Sequence, residues 1–342
     1  MNIIDLKYQP YKLRLLTTFE TSKSTISERK GFIISLKSSS GKVGIGDVSP
    51  FPEFGSETYE QAQNQIDSLR MELKIEKENI QESLKTILKE FNTSPSLRHG
   101  LEQALINLVC NEYETSVSQL LNIKLKRKIN VNAVIGFLEP EKATSYAFKF
   151  VEDGFKTIKV KTGQNNFDDD FKTLASIREA VGEEINIRID INGKWSLNEA
   201  EKYLNQLEKL SIEYAEQPVN SMQDFLELKQ RTSIPLAADE SIRNLGSAEG
   251  FISSSAIDYV ILKPMMLGGL NPTLEIIELA EKNNITPVVT SSFESSIGRA
   301  NAVIAASACK SETAHGLAVS HYFEKDLDIE KYPVGNGCIE IF

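Results

Sequence analysis

The chain has little with which to staple itself, bind a soft metal or enter a membrane. Its three cysteines, Cys110, Cys309 and Cys338, are odd in number, widely spaced and never part of a Cys-x-x-Cys pair. That pattern excludes a disulfide framework and argues against zinc, and it predicts reduced thiols in a cytoplasmic protein. There are only three histidines, His99, His315 and His321; His315 is expected to be a structural residue, and the other two have no assigned role. No stretch approaches the roughly 18 uninterrupted apolar residues of a membrane helix. The first residues, Met1 to Asp5, lack the basic segment and apolar run of a secretory signal. Positive charge is not in excess either. With 38 basic and 48 acidic residues the net charge is −10, which argues against nucleic acid as a partner. What remains is a protein expected to act on small molecules.

What is present is ample. The 342 residues, 41% hydrophobic and 25% charged, suffice for a large core. Residues 1–125 read as an α+β domain. Strands are predicted at 2–15, 31–37 and 42–47, with a turn at 38–41, and helices follow near 57–73, 78–91 and 97–112. The last helix carries Leu97, Leu101, Leu105 and Leu108 in one stripe. From Ile129 the texture changes to short apolar runs separated by amphipathic helices. Strands are predicted at 129–134, 157–161, 185–191, 212–216, 236–239, 259–263, 287–291 and 312–317. Their near-continuous hydrophobicity suits strands covered on both faces. Eight strands alternating with helices over 126–320 predict an α/β fold of the TIM-barrel type, with its active site at the carboxyl ends of the strands. Residues 321–342 add no further unit and are expected to pack back on the first domain.

The chemistry stands at those strand ends. Lys159 and Lys161, then Asp190, Glu216, Asp239 and Lys263, each close a predicted strand. From Lys161 onward the intervals are 29, 26, 23 and 24 residues, about one strand, one helix and two loops each. Lys159 and Lys161 are two apart, so both point to one face of their strand. The ammonium of Lys159 disfavours a second positive charge, which predicts that Lys161 sheds its proton readily and serves as a general base. Three converging carboxylates repel one another unless a cation joins them. A set of oxygen donors without histidine or cysteine favours Mg²⁺, or Mn²⁺, over zinc. Asp190, Glu216 and Asp239 are therefore the predicted metal ligands. Asn192 and Glu240 are expected as their supporting partners, Glu240 because it adjoins Asp239 and should point the other way. Lys263 would face Lys161 across the mouth. The segment Ser291-Ser-Phe-Glu-Ser-Ser-Ile-Gly298 leads into a helix. Serine there caps the helix, and free N–H groups at its start could bind a substrate carboxylate. Ser291, Ser292, Glu294 and Ser295 are the residues expected to make that contact.

With these residues in place the chain resembles the enolase superfamily, in its muconate-lactonizing-enzyme-like subgroup. The likeness rests on Lys159-Val-Lys161, on the Asp190, Glu216, Asp239 trio and on Lys263. It implies a modified barrel, (β/α)7β, with an N-terminal α+β capping domain. It also implies Mg²⁺-dependent removal of a proton α to a carboxylate by Lys161, with Lys263 opposing the charge that develops. Three further segments, Gly44-Ile-Gly-Asp-Val-Ser-Pro50, Ser96-Leu-Arg-His-Gly-Leu-Glu102 and Ser292-Phe-Glu-Ser-Ser-Ile-Gly298, are similar to those of the o-succinylbenzoate synthases of menaquinone biosynthesis. Those enzymes dehydrate their substrate after proton abstraction. The likeness further implies that residues 18–30 fold over the mouth, with Thr21 and Ser22 touching substrate. Dipeptide epimerases of the subgroup carry an Asp-x-Asp at the eighth strand. Here that place reads Thr313-Ala-His-Gly-Leu317, which argues against an ammonium-bearing substrate. The rivals are an N-acylamino acid racemase, a dipeptide epimerase and, last, a non-catalytic barrel.

Overall fold

A computed structural model describes residues 1–20, 25–69, 73–90, 93–163, 166–327 and 330–341. The chain opens with an antiparallel sheet of β1 (Asn2–Glu20), β2 (Thr25–Ser38) and β3 (Val43–Val48), to which β4 (Leu73–Lys74) adds a short edge, in the order β3-β2-β1-β4. Phe32, Ile34 and Leu36 alternate along β2 and are fully buried, the period-two pattern of a half-covered strand. The helix Pro95–Tyr113 covers that face, starting with proline in its first turn and ending at Glu114 in a left-handed conformation.

The helix comes unusually close to β3. A Cβ on Gly46 would lie 1.9 Å from the carbonyl oxygen of Gly100, and one on Gly44 would lie 2.2 Å from that of Ala104. Only hydrogen fits in either gap. Gly46→Ala is therefore expected to cost at least about 1–3 kcal/mol of stability, read as a lower denaturant midpoint at unchanged m-value.

Sequence reading placed a covering loop at 18–30. Among the described residues, 25–30 belong to β2 and pair with β1, with a register irregularity between Arg14 and Phe19. Ile26 and Arg29 are buried, while Glu28 turns outward to pair with Lys12. Thr21 and Ser22, the expected substrate contacts, lie outside the described residues.

The second part of the chain supplies β5 (Lys128–Asn130), β6 (Ala133–Ile135), β7 (Thr157–Lys161), β8 (Asn186–Asp190), β9 (Ile212–Glu216), β10 (Leu236–Ala238), β11 (Tyr259–Leu262) and β12 (Thr286–Val289). From β6 to β12 they form one parallel sheet in sequential order, with helices between them. The predicted eighth strand shrinks to two isolated parallel bridges, Val131 with His315 and Thr290 with Gly316. Those bridges join the first and last strands and close the barrel. The segment is too short to propagate a ladder, and Gly316 sits where a Cβ would come 2.8 Å from Thr290 Cγ2. The architecture is thus a mixed α/β chain, a parallel barrel with a separate antiparallel capping domain. The tail divides its contacts. Phe323 bridges Leu15 of β1, and the Glu324 amide donates to the Arg14 carbonyl. Further on, β13 (Val334–Gly335) and β14 (Cys338–Glu340) add to β5 instead. Among the described residues no helix is long and apolar enough to cross a membrane.

Candidate active site

A cavity of about 180 Å³ opens at the carboxyl ends of the barrel strands. Lys159 and Lys161 on β7, Asp190 at the end of β8 and Glu216 at the end of β9 all line it, together with Asp239 and Lys263 just beyond β10 and β11. The register explains the convergence. Lys161 stands beside Asp190 and Asp190 beside Glu216 as direct partners on neighbouring strands.

Each carboxylate is engaged by a lysine. Lys159 Nζ is 2.6 Å from Glu216 Oε1 and 2.9 Å from Asp190 Oδ2, and Lys161 Nζ is 3.5 Å from the same Asp190 oxygen. Lys263 Nζ pairs with Asp239 Oδ1. Burial works against the charge on Lys159, but Asp190 and Glu216 outweigh it and hold its pKa well above the ordinary lysine value. For Lys263, Asp239 and Glu240 likewise outweigh burial and raise it. Burial also opposes the Asp190 charge, yet Lys159 and Lys161 keep that carboxyl well below the usual range. Glu216 goes the other way. Burial, reinforced by Asp190 and Asp239, pushes its carboxyl up to about 8 despite Lys159.

Among the described residues no three His, Cys, Asp or Glu side chains are gathered closely enough to hold a metal ion as they stand. The donor set nevertheless fits a hard divalent cation. It consists of three oxygen anions on adjacent strands, and buried Glu216 Oε2 has no hydrogen-bond partner. A cation among them would offset the repulsion that raises Glu216.

The neighbours of these groups are specific. Lys161 Nζ donates to Asn192 Oδ1 at 2.9 Å, and Asn192 Nδ2 donates to Glu240 Oε1 at 2.8 Å. Asn192 (φ 51°) is left-handed, which aims its amide back at the lysine. Glu240 corrects the sequence reading. Because β10 ends at Ala238, strand alternation no longer applies, and Glu240 lines the cavity beside Asp239. His315 is buried, and its Nδ1 accepts from the Val289 amide.

The segment after β12 differs from expectation. Ser291 lines the cavity, but Ser292, Glu294 and Ser295 are buried away from it. Nor are the N–H groups free for a carboxylate. Those of Ser292, Phe293, Ser295 and Ser296 donate to Glu294, Ser291 Oγ, Asp47 and Asp326 respectively. The helix start is satisfied within the protein, largely by the capping domain and the tail.

Sequence reading missed several lining residues. Tyr214 precedes Glu216 by two on β9 and Ile261 precedes Lys263 by two, so period-two alternation could have found both. Phe54 comes from the capping domain and Tyr322 from the tail, and no local pattern announces them.

Comparison with known proteins agrees with this geometry. A family model described as Enolase C-terminal domain-like matches residues 143–342, and one described as MenC, N-terminal domain, matches residues 6–108. An o-succinylbenzoate synthase of Thermobifida fusca is 33% identical over 202 residues, 58% of this chain and 62% of that one. The match thus spans less than two thirds of that relative. A dipeptide epimerase from Cytophaga hutchinsonii, solved with Mg and the dipeptide D-Ala-L-Val, is 26% identical, with a TM-score of 0.86 over 100% of this chain and 94% of that one. An N-succinyl Arg/Lys racemase from Bacillus cereus shares the fold, with a TM-score of 0.91 and 23% identity over 100% of this chain and 93% of that one.

Proposed function

Because the chain belongs to the enolase superfamily, we propose that it is a Mg²⁺-dependent hydro-lyase forming o-succinylbenzoate for menaquinone biosynthesis. One observation weighs against an ammonium-bearing substrate such as a dipeptide, and the preference over an N-acylamino acid rests on the relatives named below. The acids lining the cavity, Asp190, Glu216, Asp239 and Glu240, all stand on the β8–β10 side. The opposite wall, with Phe293, Gly316 and Val319, offers no described carboxylate to an ammonium group. Such a wall suits an uncharged carbon ring. The MenC N-terminal match and the Thermobifida fusca relative support the same reading.

Asp190, Glu216 and Asp239 would hold the cation, which when bound draws charge from a substrate carboxylate and makes the neighbouring C–H acidic. Lys161 Nζ, directed by Asn192, takes the proton α to that carboxylate. Lys263, kept charged by Asp239 and Glu240, faces the negative charge that develops. Lys161 then gives its proton to the departing β-hydroxyl, so that one water leaves and the lysine returns to its starting state. Lys159 keeps Asp190 and Glu216 in place between turnovers.

The test is turnover of the cyclohexadiene precursor with Mg²⁺, followed by loss of the conjugated diene and appearance of the aromatic product. An inert precursor, with brisk exchange of the α-proton of an N-acylamino acid or a dipeptide, would favour the racemase or epimerase instead.

A further inference from the structure

The lysines and carboxylates form the floor of the cavity, but its aromatic walls are held by something else. Phe293 has φ 58°, a left-handed conformation that is costly for a bulky side chain. Two bonds fix it there. Its N–H donates to Ser291 Oγ at 3.1 Å, and its carbonyl accepts from Arg29 Nε at 3.2 Å. Arg29 belongs to the capping domain and is only 5% exposed. Its other nitrogens reach a second loop, Nη1 donating to the Pro50 carbonyl at 2.9 Å and Nη2 to Ser49 O and Oγ at 3.1 and 3.0 Å. Its guanidinium also lies 3.9 Å from the centroid of the Phe51 ring. Phe51 stacks on Phe54 at 4.2 Å, and Lys263 Nζ sits 5.1 Å from the Phe54 ring centre. Phe54 and Phe293 both line the cavity.

We propose that Arg29 is a positioning residue for substrate. One planar cation holds the Phe54 wall through Phe51 and the Phe293 wall through its carbonyl, so the seating of the capping domain and the shape of the site are set together. Arginine suits the task because its donors diverge in fixed directions while its face stacks on an aromatic ring. A lysine has one donor centre and no planar face. It could satisfy one arm but not three.

The role predicts coupling between Arg29 and the wall it holds. Arg29→Met is expected to lower kcat/KM for the precursor by about 10- to 100-fold, the scale on which small misplacements of substrate are felt. Arg29→Lys should fall with it, although the charge is kept. Combining Arg29→Met with Phe54→Ala should cost little beyond the worse single change, because both remove the same wall. If the effects of Arg29 and Phe54 multiply to within about twofold, the two act independently and the proposal is overturned. Wild-type kcat/KM in folded Arg29→Met overturns it as well. Should Arg29→Met fail to fold, the cycle of Arg29→Lys with Phe54→Ala makes the same test. The inference rests on the hydro-lyase reading only for its assay. A precursor untouched by the wild type defeats that reading, whereas turnover with independent effects defeats the role of Arg29.

Discussion

Lys161→Ala is expected to lower turnover by about 10²–10⁴-fold, the range in which a positioned general base contributes. The loss should appear in kcat, with binding of the divalent ion unchanged by calorimetry, since Lys161 touches Asp190 only at 3.5 Å while Lys159 holds it at 2.9 Å. Lys263→Ala gives the informative comparison. In a racemase both lysines exchange protons, so both variants would fail alike. In the hydro-lyase Lys263 supplies charge alone, and its loss should be the smaller of the two. Equal collapse of the two variants would count for racemisation.

Glu216→Gln should have the second large effect. Glu216 lies between Asp190 on one side and Asp239 on the other, buried, with one oxygen on Lys159 and the other without a partner. Losing its charge removes a central ligand. Affinity for Mg²⁺ should fall by at least about 10–100-fold, the cost already seen for residues that merely support a ligand, and activity should fall with it. A thermal scan provides an independent readout. The wild type should gain melting temperature on adding Mg²⁺, because a ligand bound only by the folded state stabilises it, and Glu216→Gln should gain little. Equal gains in the two proteins would remove Glu216 from the metal site. Turnover that survives EDTA unchanged would remove the metal from the reaction.

The difference between what was legible in the sequence and what was not follows the range of the interactions. Lys159, Lys161, Asp190 and Glu216 were readable because strand alternation and the length of a βα unit are local rules, and Asp239 and Lys263 follow them within one residue of a strand end. Glu240 was misdirected because the same alternation was carried two residues past the end of β10. The eighth strand was overdrawn because a segment at the right place in the βα order says nothing about how many ladder bonds its neighbours leave for it. Ser292, Glu294 and Ser295 were assigned to substrate because a helix start looks like an anion site until its N–H groups find partners. Two of those partners, Asp47 and Asp326, lie 248 and 30 residues away in sequence. Arg29 was placed in a covering loop for the same reason. Its bond to Phe293 spans 264 residues, and nothing near Arg29 in the chain points to it.

The most direct measurement is the rate at which the α-proton of the precursor carboxylate is lost to deuterium oxide, followed by NMR, with Mg²⁺ and equal amounts of wild type and Lys161→Ala. Rapid loss with the wild type and loss at the uncatalysed rate with the variant is the predicted result. Comparable rates from the two proteins would mean that another group breaks the C–H bond, and that the amine of Lys161 is not the base.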